Sequence, residues 1–173
     1  MEWRPDDNSS YKAAGGMNAG RGAFFNSQGV GYQQGTQYWA QAQANVGNWY
    51  AQVFYDYNDG GGDDNPTFLY ATGLRQVAER SSLQAQLQYT FDMPWLFDSE
   101  WTVGWDYNDT MSNSAYTLYG RNDDNDDYVV NGFYGQGTLH MSPKMDLVVA
   151  GRYDAVSFIS TGDFAPSATL VYK

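Results

Sequence analysis

The chain has 173 residues, a formal charge of −11 and no cysteine, which excludes disulfides and thiolate metal sites, and its nine scattered Lys and Arg form no basic stripe for nucleic acid or another polyanion. Aromatics make up 17% of the residues, with 15 Tyr and 6 Trp beside 19 Gly, yet mean hydropathy is −0.59, a balance too aromatic for disorder and too polar for an ordinary globular core. No apolar run is long enough to cross a membrane as a helix, and "MEWRPDDN" lacks the charged and apolar regions of a signal peptide, so the expectation is a chain whose leader has been removed or an internal piece of a larger one.

In chain order, a partial strand is expected at Met1 to Arg4, followed by a tight turn at "RPDDN" (Arg4 to Asn8). Asn18 to Gly35 is expected as a long Gly- and Asn-rich loop. The glycines of "GGMNAGRG" (Gly15 to Gly22) follow no buried strand and open no helix, so they make a poor phosphate cradle. "YWAQAQANV" then alternates with period two: Tyr38, Ala40, Ala42, Ala44 and Val46 oppose Gln41, Gln43 and Asn45. After the turn "VGN" (Val46 to Asn48), "WYAQVFYDY" alternates again, with Phe54 blurring its polar face.

A long loop is expected from Tyr57 to Ser82. In "LQAQLQYTFDM", Leu83, Ala85, Leu87, Tyr89, Phe91 and Met93 share one face and Gln84, Gln86, Gln88, Thr90 and Asp92 the other. A turn at "MPWLFD" (Met93 to Asp98) leads into "FDSEWTVGWDYN", where Trp101, Val103, Trp105 and Tyr107 oppose Glu100, Thr102, Asp106 and Asn108. Loops are expected from Asn108 to about Asp127 and from Asp154 to Ala165, with a strand, the turn "SPK" (Ser142 to Lys144) and the strand "KMDLVVAGRYD" between them. The reading is eight strands of roughly ten residues plus the partial one, no helix, tight turns at one end of the sheet and long loops at the other.

Half-apolar alternating strands suit a soluble sandwich or a membrane barrel that turns its apolar face to lipid. Strand length favours the barrel, since a tilted strand needs about 9 to 11 residues to cross the hydrocarbon layer. The lopsided connections and the rings near strand ends, such as Trp49, Tyr57, Trp95, Phe97, Trp101, Trp105 and Tyr107, fit the same architecture as interfacial girdles. The Gln and Asn ladder would then line a hydrated lumen.

The run "GRNDDNDDYVVNGFYGQGTLHMSPKMDLVVAGRYD", followed by "FAPSATLVYK", resembles the barrel of bacterial TonB-dependent outer-membrane receptors. In that family an Asn- and Asp-rich loop leads into a strand, a Ser-Pro-Lys turn into the next, and a Phe-Ser-Pro-Arg-Ala-type segment opens another. Ala165 and Ser167 depart from the commoner Ser and Arg there, between Phe164 and Ala168. "EWRPDDN" and "WYAQVFYDYNDGGG" are similar to earlier barrel segments. The resemblance implies an outer-membrane receptor of a Gram-negative bacterium that takes up a large scarce nutrient, a chelated metal, a vitamin or a glycan. It also implies partners in the lipid bilayer, in the remaining strands of a larger barrel or in other membrane subunits. No plug domain and no TonB box are read in the chain, the strands are too few for the family's 22-stranded barrel, and Lys173 is not the usual terminal aromatic. The expectation is therefore one β-barrel region over 1–173, either a segment of a larger barrel or a small closed one.

Site candidates are few. Asn122, Asp124 and Asp126 have the spacing of a calcium loop, but Asp127 stands where the sixth-position glycine belongs and Phe133 where the twelfth-position carboxylate belongs. A looser cation site from Asp123, Asp124, Asp126 and Asp127 is set against a solvated loop tip. "NDGGGDDN" (Asn58 to Asn65) is read likewise, as a flexible external loop or a cation site. His140 is the only histidine, so it has no metal-binding companions and no clear catalytic partner, and it is placed near the Ser142 turn facing headgroups or lumen. Asp98 and Glu100 are expected to line the lumen rather than to act as an acid–base pair. No base, nucleophile and orienter come together, so neither an enzyme nor a cofactor is expected. The competing readings are a small structural or adhesive outer-membrane barrel, and a soluble aromatic-rich β-sandwich that binds glycans.

Overall fold

The computed structural model describes residues 1–118 and 126–173. One antiparallel sheet runs through the whole of it, and the described residues contain no helix. Its strands are β1 (Glu2–Asp6), β2 (Ser9–Asn26), β3 (Gly29–Val46), β4 (Trp49–Gly60), the two-residue β5 (Phe68–Leu69), β6 (Glu79–Met93), β7 (Ser99–Asn113), β8 (Tyr128–Ser142), β9 (Met145–Val156) and β10 (Asp163–Tyr172). Each long strand pairs with its neighbour in sequence, in the order β1-β2-β3-β4-β6-β7-β8-β9-β10, while β5 pairs with β3. This is an up-and-down meander with β1 and β10 as its edges, so the sheet does not close on itself within the chain.

The expected period-two pattern sets the register. Trp49, Ala51, Val53 and Tyr55 lie opposite Tyr89, Leu87, Ala85 and Leu83, so apolar and aromatic residues meet across the ladder until Tyr57 meets Ser81 at its upper end. Gln86 meets Gln52 on one side and Asp106 on the other, keeping the polar face polar. No second sheet covers the apolar face: Val53 is 47% exposed, Leu87 40% and Phe133 55%. The buried hydrophobic residues among those described are Leu69 and Val77, both in one loop. A sandwich would bury this face between two layers, and here there is one layer.

The tight turns fall where expected. Gly47 takes φ 55°, the left-handed conformation that a two-residue hairpin with glycine in first place uses, and its N–H bonds Asn8 O at 2.8 Å, tying two adjacent turns together. At the turn "MPWLFD", Phe97 and Asp98 both take positive φ, 52° and 47°. Asp98 is therefore a turn residue, outside β7, and does not share a strand face with Glu100, contrary to the expectation that the two line the lumen together.

The largest departure lies between Asn18 and Gly35. This segment is not a loop: β2 and β3 continue through it as a ladder from Ser9↔Val46 to Asn26↔Gly29, closed by a turn at Ser27 and Gln28. The glycines Gly15, Gly16, Gly20 and Gly22 sit inside β2. Glycine weakens a hydropathy contrast without preventing pairing, and that is why alternation fails to show there. The other connections are also shorter than expected, since β4 reaches Gly60, β7 reaches Asn113, β9 reaches Val156 and β10 begins at Asp163.

Candidate functional site

The polar face carries several clusters of side-chain hydrogen bonds. Near the turn end of β2 to β4, Asn45 Nδ2 donates to Ser10 Oγ at 3.2 Å, Gln43 Nε2 to Gln52 Oε1 at 2.8 Å, and the Tyr50 hydroxyl to the same Gln52 oxygen. Across β6 to β9 the clusters are built on glycines. Tyr134 on β8 lies over its register partner Gly104 on β7, where an added Cβ would stand 2.3 Å from Cζ and 2.4 Å from the hydroxyl oxygen. From there the Tyr134 hydroxyl reaches past β7 and accepts from Gln86 Nε2 at 3.2 Å and Gln88 Nε2 at 2.6 Å on β6.

Arg152 on β9 repeats the device one strand along. Its guanidinium lies over Gly132, donates to Asp154 on its own strand and to Asp106 Oδ2 on β7 at 2.6 Å, and stands 5.8 Å from the Tyr134 ring centre. Two carboxylates hold one guanidinium, so this cluster is a satisfied brace and leaves no reactive group. His140 Nδ1 pairs with Asp146 Oδ1 at 2.9 Å, and Lys173 Nζ reaches Asp146 Oδ2 at 2.6 Å. The lone histidine thus sits on the polar face beside the Ser142 turn, held by the buried Asp146.

At the long-loop end the connection 61–78 folds back onto the tall β2–β3 hairpin. β5 extends the sheet beside β3 where β4 has ended, with Phe68 opposite Tyr32 and their rings 5.6 Å apart. "NDGGGDDN" is not a loose loop. Asn65 is buried, donates to Asp59 Oδ2 at 2.5 Å and accepts from Gln34 and Thr36, while Arg75 pairs with Asp63 at 2.9 Å and donates to Gly61 O. Val77 N–H bonds Thr117 Oγ1 at 2.8 Å, which joins this loop to the one after β7.

Of the acidic cation candidates, Asp123 and Asp124 lie outside the described residues. Asp127 Oδ1 accepts the Ser112 N–H at 2.7 Å, which closes the loop onto β7. The half-buried Asp126 stands next to it in sequence, and among the described residues no three His, Cys, Asp or Glu side chains come close enough to hold a metal ion.

The polar face of the upper hairpin and of the end of β4 carries the feature that sequence reasoning missed. On the polar face, Asn18, Gln33, Gln37 and Asn58 line a hollow of about 320 Å³. Gly20 and Gly22 leave it open: an added Cβ at either would meet no atom within 4 Å. Gln33 and Asn58 also line an adjoining hollow of about 200 Å³ that ends on Phe24, Gln76 and Leu118. The signal was in the sequence, since Gly16, Asn18, Gly20 and Gly22 alternate with Met17, Ala19, Arg21 and Ala23, but small and polar residues share both faces there.

A family model described as TonB dependent receptor-like, beta-barrel matches residues 2–173. No curated relative matches. Two solved structures share the fold: the siderophore receptor PirA from Pseudomonas aeruginosa and the alcaligin outer membrane receptor FauA from Bordetella pertussis. PirA is 13% identical with a TM-score of 0.68 over 98% of this chain and 28% of its own. FauA is 15% identical with a TM-score of 0.54 over 99% of this chain and 31% of its own. The chain thus spans less than a third of either solved protein.

Proposed function

Since this chain belongs to the TonB-dependent receptor-like β-barrel family, we propose that it forms part of the barrel wall of an outer-membrane receptor that takes up a large scarce nutrient. The observation that carries this reading is the uncovered apolar face of a one-layer sheet whose other face is polar. In lipid every backbone group must be paired within the wall, and an alternating sheet does this while turning one face to hydrocarbon and the other to water. From Trp49 to Tyr57 the apolar face of β4 measures about 26 Å along the strand at about 3.3 Å per residue, or about 20 Å across the layer at a tilt near 40°. Rings stand at both ends of it: Trp49 packs against Tyr89 at 4.6 Å, and Tyr38 stacks on Tyr57 at 6.5 Å. These are the positions of interfacial girdles.

The edges β1 and β10 support a wall completed by further strands, because exposed edges cannot face hydrocarbon unpaired. The long-loop end, with its braced hairpin and hollows, is the side on which ligand is met, in the outer membrane of a Gram-negative bacterium.

The test is uptake in cells. Bacteria expressing the complete receptor are compared with cells lacking it for accumulation of labelled ferric chelates, cobalamin and oligosaccharides, with and without collapse of the inner-membrane proton gradient. Receptor-dependent, gradient-dependent accumulation of one ligand class is the expected result. Accumulation identical in both strains for every class would sink the proposal.

A further inference from the structure

We infer that the amide-lined hollow on the polar face of β2, β3 and the end of β4, with the adjoining hollow against the loop 61–78, is a ligand subsite for an uncharged, hydroxyl-rich molecule, an oligosaccharide rather than an anionic metal chelate. This deepens the uptake role proposed above and rests on it. The lining is mostly amide: Asn18, Gln33, Gln37 and Asn58 in the larger hollow, Gln76 and Asn26 in the smaller. An amide offers two donors and an acceptor on one group, and a sugar hydroxyl both donates and accepts, so the two surfaces pair without either carrying charge. Phe24 and Leu118 supply apolar contact at the end of the groove, the kind of platform on which a sugar ring face lies.

An anion is poorly served. Among the described residues, no ionic side chain faces the two hollows: Arg21 alternates with Gly20 and Gly22 and so projects from the opposite face of β2, as its register partner Gln34 does on β3, and Gln37 Nε2 already donates to Asp56 Oδ2 at 2.7 Å. The chain as a whole carries −11, a field that repels anions and leaves neutral molecules unaffected. The space itself is kept by glycine, since Gly20 and Gly22 project nothing into a volume where a side chain would fit without collision. The larger hollow is at the lower end of the range of about 300 to 1,000 Å³ common for small-ligand sites.

Gly22→Val tests this, because its Cβ meets nothing and a β-branched residue suits a strand, so the variant folds while filling the groove. The complete receptor in detergent is screened against an array of neutral oligosaccharides together with a ferric hydroxamate, a ferric catecholate and cobalamin, and affinities are measured by calorimetry. A neutral oligosaccharide should bind, with at least tenfold loss in both Gly22→Val and Asn58→Leu and an unchanged thermal transition in the first. A blank oligosaccharide array, a chelate or cobalamin as the ligand, or oligosaccharide binding unaffected by Gly22→Val would each overturn the inference. If chelate uptake by energised cells accompanies any of these, the ligand class fails and the uptake role stands; if no nutrient is taken up at all, the role itself fails.

Discussion

Gly104→Ala should loosen the wall through Tyr134. The new Cβ would stand 2.3 Å from Tyr134 Cζ, closer than any real contact, so the ring must swing off β7. The colliding atoms end a side chain rather than belong to the backbone, and the ladder from β6 to β8 survives. What is lost is the pair of amide hydrogen bonds from Gln86 and Gln88 and the contact with Arg152. A net hydrogen bond contributes about 0.5 to 1.5 kcal/mol, and a cation–π contact at an exposed site about 0.5 to 1 kcal/mol. Water on the polar face can replace the amide partners, which favours the lower values and gives a total of about 1.5 kcal/mol. Tyr134→Phe removes the hydrogen bonds without a collision and should cost about 1 kcal/mol. In a Tyr134→Ala background the collision is gone, and Gly104→Ala should then be neutral or stabilise by up to about 1 kcal/mol, because glycine inside a strand is itself unfavourable. Reversible guanidinium unfolding of the complete receptor in micelles, followed by tryptophan fluorescence, supplies the four corners of the cycle. Equal effects of Gly104→Ala in both backgrounds would refute the seat-and-strap arrangement.

Val53→Arg, halfway between Trp49 and Tyr57 on the apolar face, should destabilise the receptor in lipid vesicles by about 2 to 4 kcal/mol, whereas Gln84→Arg on the polar face should cost well under 1 kcal/mol; equal costs in a vesicle unfolding titration would mean that this face does not meet lipid. Gly47→Ala should cost about 1 to 2 kcal/mol in the same titration because of the φ of 55° alone, since no atom lies within 4 Å of the added Cβ. Asp106→Asn removes one of two carboxylates from a partly exposed Arg152 and should cost under about 1 kcal/mol, a difference that 1 M salt shrinks further.

The wall was legible wherever apolar and polar residues alternate. "LQAQLQYTFDM" became β6 with its faces as read, and the turns at Val46 to Asn48 and Ser142 to Lys144 fell in place because their residues set the local backbone. The upper hairpin was not legible, for a physical reason. From Gly15 to Gly35 small and polar residues stand on both faces of the paired strands, so the apolar–polar contrast that marks a strand in sequence is missing there. Composition then reads as loop although pairing continues for the full length of β2. The seats under Tyr134 and Arg152 were hidden for a related reason: a glycine opposite a large side chain is a cross-strand relation, and only register reveals that Gly104 faces Tyr134 or that Arg152 reaches back over Gly132 to Asp106.

This division has an energetic consequence for where change is tolerated. The wall has no buried core and is held by its backbone ladder, by ring belts on one face and by the amide and Arg152 network on the other. The long-loop end has a small core of its own, with Leu69 and Val77 buried beside Asn65 and Gln76. That core anchors the loop 61–78 to β3 through β5 and to the loop after β7 through Thr117. Gln33 points into the groove, is exposed and belongs to neither support, whereas Gln37 is tied to the wall through Asp56. Replacing Gln33 therefore changes what the groove presents without loosening the wall below or the loop beside it.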